Sequence, residues 1–161
     1  MSAADVIQKA REQGIMVATA ESCTGGLLAG ALTEIPGASV AFDRGFVTYS
    51  NTAKTQMLGV DPTLIEIHGA VSEAVATAMA EGALIHSDAR LSVSVTGIAG
   101  PGGTVNKPEG MVCFGVSRML ANKIESRSMT RTFGAIGRRN VRTASVEHAL
   151  SILQDTLSQS V

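Results

Sequence analysis

At 161 residues with 45% hydrophobic content, the chain can bury the core of one domain and is too apolar to be disordered. Its net charge of −1 supplies no basic field, which argues against nucleic acid or an anionic membrane as partner. Only 3% of the residues are aromatic against 17 glycines, so an aliphatic core and closely packed loops are expected.

No apolar segment at the amino terminus suggests a signal peptide, and no window has the apolar length of a membrane span. Cys23 and Cys113 have no spacing that suggests a disulfide framework, which points to a reduced, cytoplasmic protein. His68, His86 and His148 are too scattered for a ligand set, so no metal and no cofactor is expected.

In chain order, Ala3–Gln13 presents Ala3, Val6, Ile7 and Ala10 on one helical face and is closed by Gly14. The apolar run 15–20 reads as a buried strand, and 27–35 as an alanine-rich helix. Pro36-Gly37 breaks the chain, and 40–49 follows as a strand with Gly45 as a bulge. Asn51 is the expected cap of a helix carrying Lys54, Met57 and Leu58. Residues 59–69 read as a connector, after which Ser72 caps a helix burying Val75, Ala78, Met79, Gly82 and Ala83.

The β-branched run 91–95 opens into the glycine-dense loop 96–103. Two further strands, 110–117 and 123–132, turn at Ala121-Asn122, with Glu125, Arg127 and Arg131 marking a sheet edge in water. A long final helix buries Val146, Ala149, Leu150, Leu153 and Leu157. This alternation predicts a single α/β domain over 1–161, a three-layer α/β/α sandwich with a mixed, mostly parallel sheet of about five strands.

Ser22 falls between the first strand and its helix. It is either a capping serine or a nucleophile whose developing oxyanion would face the amides that open the helix, from Cys23 and Thr24 to Gly25 and Gly26. Lys54 sits in the first turn of its helix, where the dipole disfavours an ammonium. An ordinary lysine is protonated far above neutral pH, so Lys54 is a base only if it is buried, and is otherwise a surface lysine. Tyr49 either relays a proton or is a plain strand residue. Thr96 and Gly97 either donate to a ligand or simply end a strand. The loop that they open has neither the Walker nor the dinucleotide glycine pattern. Cys23 is a rival nucleophile that, as the next residue, points elsewhere if Ser22 faces a cleft. The arginines at 127, 131, 138, 139 and 142 are too few for a polyanion but enough for one phosphate.

Four segments occur together: Ala20-Glu21-Ser22-Cys23-Thr24-Gly25-Gly26, Tyr49-Ser50-Asn51-x-x-Lys54, Gly69-Ala70-Val71-Ser72-Glu73 and Thr96-Gly97-Ile98-Ala99-Gly100-Pro101-Gly102-Gly103. In that combination and order the chain resembles the CinA carboxy-terminal domain family, whose members include nicotinamide mononucleotide deamidases, and it looks like the stand-alone form. The resemblance implies a serine–lysine amidohydrolase that releases ammonia from nicotinamide mononucleotide in pyridine-nucleotide recycling. It makes Ser22 the nucleophile, Lys54 the base, Tyr49 an aid to the proton path and Thr96 a holder of the reacting amide.

The family's late arginine motif is matched by Phe133-Gly134, Arg138 and Arg142, which implies that Arg138, then Arg142, binds the substrate phosphate. A small nucleotide is thus the expected partner, and apolar helices leave room for a homodimer. The alternative is a non-catalytic nucleotide-binding or regulatory module tied to competence or DNA damage.

Overall fold

The computed structural model describes residues 2–159. Helix α1 (Ala3–Gln13) starts at Ser2, whose side chain accepts the Asp5 amide while Asp5 reaches back. Such a reciprocal cap stabilises a helix end by about 1 kcal/mol. Gly14 closes it with φ +66°, a conformation that costs glycine little. Strand β1 (Val17–Glu21) and helix α2 (Leu27–Thr33) follow, then a single 3-10 turn at Ala38–Val40 and strand β2 (Phe42–Val47).

Three short-to-medium helices come next: α3 (Asn51–Leu58), α4 (Pro62–His68) and α5 (Glu73–Ile85). Strands β3 (Leu91–Gly97), β4 (Met111–Leu120) and β5 (Lys123–Thr132) precede the long helix α6 (Arg138–Ser158). The strands form one sheet in the order β2-β1-β3-β4-β5. Strand β1 runs parallel to both β2 and β3, β4 is antiparallel to β3, and β5 is antiparallel to β4. Only β4 therefore runs against the others, which gives the mixed, mostly parallel sheet expected.

The sheet lies between two helical layers. Helices α1, α2 and α6 cover one face through a core that includes Val17, Leu28, Val93, Phe114, Val141 and Leu153. Helices α3, α4 and α5 cover the other through Ala18, Ala20, Leu58, Val75, Met79 and Ala83. Helix α5 packs unusually close to the sheet because Gly115 presents no side chain; a Cβ there would lie 2.4 Å from the Ala76 carbonyl oxygen. Three hydroxyls of β3 and its exit reach the same helical layer. Ser92 donates to the Ala80 carbonyl, Ser94 to that of Ala76 and Thr96 to that of Ala70.

Several local expectations need correction. Residues 59–69 contain a helix, α4, because Asp61 caps it and Pro62 occupies its first turn. The cap of α3 is Ser50, whose side chain accepts the Ala53 amide, and not Asn51. Gly45 is no bulge: it pairs with Thr19, and the register slips at Asp43 instead. Its missing side chain makes room for Ala29 of α2, which a Cβ would approach to 3.0 Å. The second strand accordingly spans less than 40–49, with Val40 as the last residue of the 3-10 turn.

Candidate active site

Side chains alternate across a strand. Along β1, Ala18 and Ala20 face the α3 side while Val17 faces the α2 side. The next pair continues the alternation: Glu21 reaches the start of α2 and Ser22 reaches α3. At that point Lys54 Nζ lies 3.0 Å from Ser22 Oγ.

Lys54 is 1% exposed and is, among the described residues, the largest fully buried side chain. Its amine donates to the backbone carbonyls of Thr48 at 3.0 Å and Tyr49 at 3.2 Å. Among the described residues no carboxylate forms an ion pair with it. Burial therefore pushes its pKa down, with the nearby Cys23 acting in the opposite direction. A neutral amine has two N–H groups and one lone pair. Lys54 Nζ also stands within donating distance of Ser22 Oγ, and the Ser22 hydroxyl lies 3.4 Å from the Tyr49 carbonyl. As a neutral amine, Lys54 would give its two hydrogens to the carbonyls and turn its lone pair to Ser22 Oγ. Ser22 is itself buried, at 8% exposure.

The amides that open α2 are not free to receive an oxyanion. Those of Leu28 and Ala29 donate to the Glu21 carboxylate at 2.9 and 3.0 Å, and that of Leu27 to the Thr24 carbonyl. Gly25 donates to the Ser22 carbonyl. Of the amides in this turn, those of Thr24 and Gly26 have no partner among the described residues, and that of Cys23 faces its own sulfur. Gly25 and Gly26 carry φ of +58° and +105°, so the turn that exposes these amides needs glycine at both.

Arg142 of α6 sets their direction. Its Nε donates to the Cys23 carbonyl at 3.0 Å and its Nη2 to that of Thr24 at 3.4 Å. In a trans peptide the N–H opposes the C=O, so the amide of Thr24 points away from Arg142. In this structure Arg142 holds the turn through these two carbonyls.

The remaining expected site residues gather at the same carboxyl end of the sheet, with different partners from those expected. The Thr96 hydroxyl is committed to Ala70, fixing the lead-in to α5. The Gly97 amide faces the Cys23 sulfur, and a side chain at Gly97 would collide with Val112. Tyr49 contributes its backbone carbonyl to the dyad, while its exposed phenol accepts from Arg138 Nη2 at 3.0 Å. Arg138 also donates to the Gly100 carbonyl at 2.8 Å, so it ties the glycine loop to Tyr49 at the rim. Cys23 is 6% exposed within the α2-side core, and burial pushes its thiol up to about 11. A thiol protonated at neutral pH is a poor nucleophile, which weighs against the cysteine alternative.

Thr48 and Glu21 escaped the sequence reading. A backbone carbonyl leaves no trace in residue type, but the glutamate stands beside the serine at a helix start, where a carboxylate is favoured. The site as a whole occupies the crevice where β1 leads to β2 on one side and neighbours β3 on the other, the position where open α/β sheets bind ligands. Among the described residues, no three His, Cys, Asp or Glu side chains gather as for a metal ion, and no helix is long and apolar enough to cross a membrane.

The family model of the CinA C-terminal domain matches residues 1–157. The chain belongs to the CinA C-terminal domain family. A CinA-like protein of Chlorobaculum tepidum is 58% identical over 116 residues, covering 71% of this chain and 27% of that protein. A putative competence-damage inducible protein of Symbiobacterium thermophilum is 49% identical over 148 residues, covering 89% and 35% respectively. The chain thus spans about a third of the length of the curated relatives it matches. Among solved structures, a competence/damage inducible protein from Agrobacterium tumefaciens superposes with a TM-score of 0.86 at 46% identity, covering 99% of both chains. A CinA superfamily protein from Escherichia coli gives 0.84 at 34% identity over 94% of this chain and 87% of that one.

Proposed function

We propose that this CinA domain is an amidohydrolase that converts nicotinamide mononucleotide to nicotinate mononucleotide and ammonia. The observation that carries the reading is the buried, unpaired Lys54 amine at 3.0 Å from the Ser22 hydroxyl. A lysine stripped of water without a carboxylate is an expensive choice for structure alone, and pKa perturbation of this kind is what base catalysis requires.

Lys54 takes the Ser22 proton as Oγ bonds to the carboxamide carbon, and the electron pair of the C=O moves to oxygen. The amides of Thr24 and Gly26 stabilise that oxyanion, a contribution of about 3 kcal/mol per donor in comparable sites. The tetrahedral centre collapses, the C–N bond breaks, and Lys54 returns the proton to the leaving nitrogen, so ammonia departs. Water then attacks the acyl-serine with Lys54 again as base, releasing the carboxylate and restoring Ser22. Arg138 is the residue we assign to the substrate phosphate, because it stands exposed at the rim, where a guanidinium can offer paired N–H donors to phosphate oxygens. Binding energy from the ribosyl phosphate would then be used at the amide, so free nicotinamide should turn over poorly.

The test is ammonia release from the mononucleotide. Ser22→Ala and Lys54→Met should each lower kcat by about 100-fold to 10,000-fold while the protein stays folded. Turnover that survives either substitution unchanged removes the role assigned to that residue.

A further inference from the structure

Strand β5 closes one side of the sheet with ten residues, no proline and an uninterrupted register against β4. The other outer strand, β2, has six residues and a register slip. Such slips and short lengths blunt an edge, whereas a long regular edge is a template for pairing. The two-residue turn at Ala121-Asn122, with φ of +48° and +65°, closes the β4–β5 hairpin on the Leu120/Lys123 pair. Odd-numbered residues of β5 therefore bond to β4, and Ile124, Ser126, Ser128, Thr130 and Thr132 turn their backbone groups outward. No described residue bonds to those outward groups. Helix α5 steadies the strand from one face without covering its edge: Glu73 accepts from Ser128 and Thr130, and Glu81 from Ser126.

We propose that β5 pairs antiparallel with β5 of a second copy of this chain, about a two-fold axis through Ser128. The charges select that register. With the axis at Ser128, Glu125 stands opposite Arg131 of the second copy and Arg127 opposite Met129, and the two-fold repeats each pair. An axis at Arg127 would oppose Arg127 to itself and Lys123 to Arg131. An axis at Met129 would oppose Arg127 to Arg131. An axis at Glu125 would oppose that carboxylate to itself. An axis at Ser126 does pair Glu125 with Arg127, but it leaves the end of the strand beyond the partner's turn at Ala121-Asn122.

The Ser128 axis alone joins 124 through 132 without opposing like charges. It also places Glu125 and Arg131 at a position where the side chains approach most closely, since their own backbone groups bond inward. Within the sheet Glu125 would then lie between Arg118 of its own β4, its existing cross-strand neighbour, and Arg131 of the other copy. Two five-stranded sheets become one, with the two crevices at opposite ends, so each site keeps its own complete set of residues.

Sedimentation of the purified chain at micromolar concentration tests the pairing, with thermal unfolding as the check on folding. The expected results are a dimer for the unaltered protein and at least about tenfold weaker association for Glu125→Arg, as like charges now face each other twice. Combining Glu125→Arg with Arg131→Glu should restore association. A monomeric unaltered protein overturns the proposal, as does a dimer that Glu125→Arg leaves intact. A folded double variant that stays monomeric rules out the Ser128 register.

Discussion

Glu21 and Ser22 are adjacent in the chain and serve opposite faces of the sheet. The carboxylate of Glu21 accepts the amides of Leu28 and Ala29 under α2, while the hydroxyl of Ser22 meets Lys54 of α3. Strand alternation alone sends them apart, so one residue can anchor the turn while the next is presented to the crevice.

Replacing Glu21 by Gln exchanges one accepting oxygen for an NH2 group that confronts a backbone N–H. Glu21 is fully buried, so the mismatch cannot be relieved by water. The expected loss of stability is about 2 kcal/mol, read from urea denaturation at constant m-value. A turnover defect should accompany it, because the turn holding Ser22 loses its anchor.

The lowered pKa of Lys54 has two readouts of the same sign. The folded protein binds fewer protons than the unfolded chain between the lowered value and the ordinary lysine value of 10.5. Stability from this group is therefore fully present above 10.5, and is lost as pH falls through the folded-state pKa. For the proposed reaction, kcat/KM should rise with pH along a limb set by Lys54 and below 10.5. A pH–rate profile without such a limb would contradict the assignment of Lys54 as base.

Two arginines one helical turn apart on α6 should behave differently. Arg138→Met removes a rim charge and is expected to raise KM for the mononucleotide by about 10-fold to 100-fold with kcat nearly intact. Arg142→Met frees the carbonyls of Cys23 and Thr24, misdirects the amides opposite them, and should lower kcat by about tenfold or more with little change in KM. Steady-state kinetics of both variants separates the roles.

Much of the architecture was legible because it follows from local periodicity. The alternation of apolar runs gave the strands and layers, and Ser72 and Gly14 marked helix ends by chemistry that acts within one turn. Helix α4 was missed although Asp61-Pro62 is a start signal, because seven residues carry too little periodicity to weigh against flanking glycines. Arg142 shows the harder limit. Its pairing with Cys23 joins residues 119 positions apart, and nothing in the arginine itself says that it turns inward to carbonyls and not outward to an anion. The same applies to Tyr49, whose residue type suggested a phenol at work where the backbone carbonyl meets the lysine.

The row Ser92, Ser94 and Thr96 has a mechanical consequence. Each grips a separate carbonyl at 80, 76 or 70, so α5 and the segment that leads into it are locked to β3 in one registry and cannot slide. Breathing of the cleft must then come from its far wall, the glycine loop after β3 and the first turn of α6, which Arg138 stitches together through Gly100. Entry and exit of a ligand would hinge on that stitch, leaving the floor of the cleft rigid throughout a cycle.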